Sequence, residues 1–276
     1  MSDLSHSRID EIDPVLDCLS EVHRKTGCGY GTVFRDWVDL MVAAFSRDEE
    51  RYRAILAEYE DLGADVSMVE RTYGIALGEL LNATIEYQHE VLGAVYEAVG
   101  VRSDALGQHF TPHNVSDAIA AMNLPGKGRL SEARDDPVRI ADPACGSGRL
   151  LISSAMQIDQ AVDTVPASRP AAVYHGKDLD ETCAKMTALN LVIARVPGLV
   201  VYGDTIKATT HRIWRSQPGA VPPLAEVTDD VFDPFAPPRD EEETGAEGVG
   251  ESGEAGDGMD EGSGAPDQIT LGGVDA

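Results

Sequence analysis

The sequence predicts an α/β protein in three parts: a helical N-terminal region, a partial parallel sheet, and a disordered acidic C-terminal tail. Three observations carry that prediction. Apolar residues in the first hundred positions recur with a helical period. Between residues 138 and 202, three short apolar runs alternate with two helical stretches, which implies parallel strands joined by right-handed crossovers. Beyond residue 239 the chain is mostly Gly, Glu, Asp and Ser, with too little apolar surface to offset the entropy of ordering it.

Ile12, Val15, Leu16 and Leu19 form an i, i+3, i+4, i+7 stripe, and residues 33–45 repeat it with heavier side chains. Between them, Thr26-Gly-Cys-Gly-Tyr-Gly31 is a glycine-dense break. No strand precedes it and no Lys-Ser/Thr follows, so it reads as a helix connector and not as a phosphate loop. Further helices are predicted over about residues 49–60 and 66–99, with Gly74, Gly78 and Gly93 predicting a kink or division in the second. Residues 138–141 form a strand that runs into Asp142-Pro-Ala-Cys-Gly-Ser-Gly148, and a helix over 149–158 follows. A second strand over 171–175, a helix over about 181–194 and a third strand over 199–202 complete the pattern. Six prolines from Pro218 to Pro238 then interrupt any regular element. The predicted division is 1–100 helical, 101–217 α/β, 218–238 proline-rich linker and 239–276 disordered tail.

The formal net charge is −26. Residues 226–276 hold 16 acidic side chains and one basic one, and the remaining chain has a net charge of −11 with only five lysines. A positive surface able to hold nucleic acid or anionic lipid unaided is therefore excluded. Two readings fit the acidic body. One is adaptation to a salt-rich, halophilic cytoplasm in which counterions screen self-repulsion; the other is an ordinary acidic protein with a disordered tail. The first residues carry neither a basic nor an apolar signal region, and no apolar run reaches membrane-spanning length. The four cysteines are scattered, without Cys-x-x-Cys or histidine at ligand spacing. A cytoplasmic, reduced protein with no membrane partner and no metal is expected.

The chemistry is concentrated at strand ends. In Asp142-Pro-Ala-Cys-Gly-Ser-Gly148, glycines let the chain turn sharply between a strand and a helix whose N-terminus offers unpaired N–H groups. Asp142 suits an ammonium group, Asp178 in Gly176-Lys-Asp-Leu-Asp180 suits ribose hydroxyls, and Asp204 suits a base amino group. Three acidic strand ends fit a cationic, ribose-containing ligand better than a phosphate-rich one. Against this, a strand–Asp–Gly turn is often only a loop, and Asp180 can be a simple helix cap. Upstream, Gly107-Gln-His-Phe-Thr-Pro112 supplies a second motif, in which Thr111 as N-cap and Pro112 at the first helical position open a helix whose N-terminus suits a carboxylate.

In these two motifs, and in their order, the sequence resembles the adenine-specific N-6 DNA methyltransferases of the type I restriction–modification class. Gly107–Pro112 looks like that family's motif X and Asp142–Gly148 like its S-adenosylmethionine loop. Asp178, Asp204 and Asn190 fall where the family carries matching residues, so the resemblance covers about residues 70–206. It implies a partial Rossmann-like S-adenosylmethionine-dependent methyltransferase sheet. It implies S-adenosyl-L-methionine as cofactor, held by Phe110, Thr111, Pro112, Asp142, Ala144, Gly146, Gly148, Asp178 and Asp204. It also implies site-specific adenine methylation of DNA, and a specificity or second methyltransferase subunit as partner. Cys145 reads as a packing residue with no base beside it.

The resemblance breaks after Asp204. The family's Asn/Asp-Pro-Pro-Tyr/Phe tetrapeptide, which holds and stacks the flipped adenine, does not occur in the sequence. Val221-Pro-Pro-Leu224 lacks both Asn and aromatic, and Asp233-Pro-Phe235 lacks the second proline. No catalytic residue is assigned. Trp214 reads as packing, with base stacking as the alternative. Arg149, Arg195, Arg212 and Arg215 are candidate phosphate contacts or solvated surface residues. The expected function is a DNA adenine methyltransferase that needs a partner for catalysis; the alternative is a non-catalytic S-adenosylmethionine-binding regulatory or assembly subunit.

Overall fold

The computed structural model describes residues 10–100, 111–124, 130, 137–161, 172–228 and 268–270. A 3₁₀ turn, Asp10–Ile12, leads into α1 (Asp13–Thr26), α2 (Tyr30–Ser46), α3 (Glu49–Asp61), α4 (Val66–Tyr87) and α5 (Leu92–Ala98). The termini of these helices follow their local chemistry. Gly27 closes α1 in the left-handed region (φ 75°), as the Thr26–Gly31 connector requires. Asp48 accepts the Arg51 N–H (2.9 Å) and Asp65 the Met68 N–H (3.2 Å), capping α3 and α4.

Trp37 and Phe34 of α2 form the centre of the helical region and are fully buried. The Trp37 indole N–H donates to the Tyr73 carbonyl (3.2 Å), and the Tyr73 hydroxyl to the Val33 carbonyl (3.0 Å), so α2 and α4 are pinned at fixed height. The predicted division of the 66–99 helix occurs at 88–91, not at a glycine. Gln88 adopts φ 57° and ends α4, whereas Gly74 and Gly78 lie on its open side, where a side chain would meet nothing.

The second half begins with α6 (His113–Asn123) and continues β1 (Val138–Asp142), α7 (Arg149–Ala161), β2 (Ala172–Asp178), α8 (Glu181–Ile193) and β3 (Gly198–Tyr202). All three parallel strands and both crossover helices stand where the periodicity predicts them. Two further strands, β4 (Arg212–Ser216) and β5 (Leu224–Val227), add antiparallel to β3 and to each other. β5 corrects the linker predicted over 218–238. Pro222 and Pro223 precede the strand without interrupting it, and as an edge strand it needs amide donors on one side only. β6 (Gln268–Thr270) pairs parallel to β1, so the sheet order is β5-β4-β3-β2-β1-β6. These three residues belong to the segment predicted as disordered and are instead a short strand; the rest of 239–276 lies outside the described residues.

Helical region and sheet share one core. In α8, every residue from Cys183 to Leu191 is buried, because the sheet covers one side and α2 the other. Trp214 on β4 is buried in that core, which makes it a packing residue. Lys185 of α8 reaches Asp39 of α2 (2.7 Å) and Glu181 (2.9 Å), so the seam between the two halves is also ionic.

Candidate cofactor site

The adjoining carboxyl ends of β1, β2 and β3 form the site, with Asp142 in register with Gly176 and Asp178 with Tyr202. Asp142 is buried. Its Oδ1 accepts the Ala144 N–H (3.1 Å), whereas its Oδ2 is buried without a hydrogen-bond partner. Burial, with Asp178 adding a like charge nearby, pushes its carboxyl up to about 7 despite the Ala144 N–H. A buried, unpartnered carboxylate oxygen at a strand end is a receptor for a cation or a hydrogen-bond donor.

The glycine loop folds back over this carboxylate. Cys145 N–H donates to the Lys177 carbonyl (2.9 Å), and Gly146 N–H to Asp178 Oδ2 (2.8 Å). Gly146 and Gly148 have φ of 55° and 84°; a Cβ on Gly148 would also meet the Thr187 side chain at 3.0 Å. From α8, Thr187 Oγ1 donates to the Gly146 carbonyl (2.9 Å) and Asn190 Nδ2 to the Ser147 carbonyl (2.7 Å). That is the physical role of Asn190. Cys145 is buried against Gly176 and Thr187, and burial pushes its thiol up, which fits a packing residue.

Asp178 and Asp204 also serve the local backbone. Asp178 Oδ1 accepts the Asp180 N–H (2.9 Å), and burial holds its carboxyl above the usual range. Asp180 caps α8 through the Thr182 and Cys183 amides (2.7 and 3.2 Å), the structural role weighed for it. Asp204 accepts the Lys207 N–H (3.0 Å) and Ile206 N–H (2.9 Å), and its carboxyl is held below the usual range by the Lys207 amide first. Thr205 Oγ1 donates to the Pro143 carbonyl (2.7 Å), tying this turn to the glycine loop. Two exposed aliphatic side chains, Leu179 (52 %) and Ile206 (98 %), stand just after the ends of β2 and β3.

Phe110 lies outside the described residues. Thr111 is not the N-cap predicted for it: α6 starts at His113, its N-cap is Pro112, and no side chain caps it. Thr111 stands one position too early, and its carbonyl instead accepts Arg149 Nη1 (2.8 Å). Arg149 is correspondingly corrected as a phosphate or surface candidate, since it is buried and its Nε donates to Glu90 Oε1 (2.7 Å). Sequence reasoning passed over Glu90, Ser147, Thr187, Leu179 and Ile206. For Glu90 one signal was present, a carboxylate at the head of the apolar run Val91, Leu92, Val95, Tyr96.

A mixed sheet whose parallel strands are joined by helical crossovers, with a left-handed glycine loop after β1 and acidic residues at successive strand ends, is a Rossmann-like fold. Residues 87–221 match the family described as N-6 DNA Methylase. Among solved structures, the chain is similar to a class I S-adenosylmethionine-dependent methyltransferase of Listeria monocytogenes. That similarity has 15% identity and a TM-score of 0.36, covering 68% of this chain and 52% of that one. It is also similar to the type I restriction–modification methyltransferase subunit of Streptococcus thermophilus, at 14% identity and a TM-score of 0.34, covering 68% and 56%. The chain thus spans about half the length of the structures it matches. No curated protein matches it. Among the described residues, no helix is long and apolar enough to cross a membrane, and no group of three or more His, Cys, Asp or Glu side chains is placed to hold a metal ion.

Proposed function

We propose that this protein binds S-adenosyl-L-methionine at the ends of β1–β3 and methylates the exocyclic nitrogen of adenine in DNA, with a partner subunit completing the catalytic site. The observation that carries the reading is Asp142 Oδ2, buried and unpartnered beside the glycine loop. It fits the ammonium group of a cationic amino-acid-bearing nucleoside, which would lower the cost of ionising Asp142 where it stands. In this reading the Gly146–Gly148 backbone lies against the ligand, Asp178 accepts ribose hydroxyls through its remaining lone pairs, and Leu179 and Ile206 bed the base between aliphatic faces. Asp204 orients the turn that carries Ile206. Thr111 and Pro112 close the carboxylate end. When bound, S-adenosylmethionine supplies an electrophilic methyl group carried on a sulfonium.

Titration calorimetry with S-adenosylmethionine tests the site: Asp142→Ala is expected to weaken binding by about tenfold or more, the size of one lost charge-assisted hydrogen bond. Unchanged affinity would sink the reading. A second reading is favoured by one specific observation, the lack of an Asn/Asp-Pro-Pro-Tyr/Phe tetrapeptide in the sequence. It makes the chain a cofactor-binding regulatory or assembly subunit. Transfer of tritiated methyl to unmethylated DNA separates the two; binding without transfer, alone and with companion subunits, supports the second. DNA phosphates need cations, and this chain is acidic, so the partner in the first reading also supplies positive charge.

A further inference from the structure

We propose that Glu90, on the connector between α4 and α5, is a positioning residue for the glycine loop, and that through it the helical region is a working part of the cofactor site. The proposal rests on the site assignment above. Gln88 leaves the helical conformation, and the chain turns inward so that His89, Glu90, Val91 and Leu92 are all buried. The Glu90 carboxylate then receives four donors from four different parts of the fold. Ser147 Oγ (2.8 Å) and Arg149 Nε (2.7 Å) donate to Oε1; Gly93 N–H (3.0 Å) and Asn190 Nδ2 (3.2 Å) donate to Oε2. Four donors fill the hydrogen-bonding capacity of a carboxylate. Burial opposes its ionisation, but Arg149, the Gly93 amide and the Ser147 hydroxyl outweigh that, and its carboxyl lies below the usual range.

The network converges on one residue of the loop. Ser147 is held by its hydroxyl on Glu90 and by its carbonyl on Asn190, so the peptides joining it to Gly146 and Gly148 are fixed on both sides. Those two glycines have left-handed φ, and their N–H groups are fixed on Asp178 Oδ2 (2.8 Å) and the Cys145 carbonyl (2.7 Å). Arg149 extends the chain of contacts to the Thr111 carbonyl at the start of α6. α5 is pressed so closely on the loop that a Cβ on Gly93 would stand 2.6 Å from Ser147 Oγ. Stability alone does not call for this arrangement, because an apolar replacement of a buried ion pair is often neutral or stabilising. What a filled carboxylate supplies is one geometry for its donors.

Hydrogen exchange of the full-length, cofactor-free protein tests the proposal directly. Glu90→Gln is expected to speed exchange across residues 143–150 by about tenfold, with α2 and α3 unchanged, and to weaken S-adenosylmethionine binding by about tenfold in calorimetry. Gly93→Ala keeps every charge and crowds Ser147, so it is expected to loosen the same segment even where Glu90→Gln does not fold. Unchanged exchange over 143–150 in the folded variants overturns the proposal. So does a rise shared equally with α2 and α3, which would make the network merely structural. If the unmodified protein does not bind S-adenosylmethionine, the site assignment fails, while the exchange result still decides whether Glu90 positions the loop.

Discussion

Two buried residues, Asp142 and His113, give the stability of the fold opposite pH dependences. Asp142 has a folded-state carboxyl raised from the ordinary value of 3.8 to about 7, so the stability it contributes is full below 3.8 and is lost as pH rises through 7. Asp142→Asn is therefore expected to raise the melting temperature of the cofactor-free protein at pH 8, by more than at pH 5, while losing cofactor affinity. In the unmodified protein, affinity for S-adenosylmethionine is expected to fall about tenfold per pH unit below 7 and to level off above it, and calorimetry across pH reads this slope. His113 works in the other direction. Its ring lies tilted against His89 (4.0 Å) and edge-on to Tyr87 (5.0 Å), both its nitrogens are buried without partners, and burial pushes it down to about 3. The unfolded chain protonates first, so stability is lost as pH falls from about 6.5 toward 3; His113→Phe is expected to remove that slope in thermal unfolding across pH. The loop residues were legible because Asp142 to Gly148 are contiguous. Glu90 was not, since its partners Ser147, Arg149 and Asn190 are 57, 59 and 100 positions away.

Elements were legible where a single period dominates them. α1, α2 and the three parallel strands each carry an uninterrupted apolar pattern, and the structure places them within a few residues of expectation. β5 is four residues long behind two prolines, too short for alternation to register. The start of α6 was misplaced because Thr-Pro signals a cap wherever it occurs, and only tertiary contacts decide whether the threonine oxygen is used. α8 was recognised as a helix, but not as one enclosed on every side, since its partner α2 lies far away in sequence. A chain starting at residue 101 is thus expected not to fold, because α8 would expose the face that α2 covers; circular dichroism and hydrogen exchange read the outcome. Trp214→Ala is expected to destabilise the full chain by about 3–5 kcal/mol in denaturant unfolding, a large cavity in the shared core.

The molecule as a whole combines a net charge of −26 with a segment that matches the family described as N-6 DNA Methylase. Most of that charge sits in the C-terminal segment, residues 226–276. We predict that its melting temperature rises as KCl is raised from about 0.1 M to about 3 M, through screening of self-repulsion; a flat response would refute salt adaptation. The Glu90 network bears on how such a protein changes over generations. Four donors meet on one carboxylate, and Gly93 leaves no space beside Ser147. Positions 90, 93, 147, 149 and 190 then cannot drift one at a time: a lineage that loses Glu90 must either replace the whole set together or abandon the loop. Aligned relatives should show these five positions covarying as a block, independently of the strand-end carboxylates.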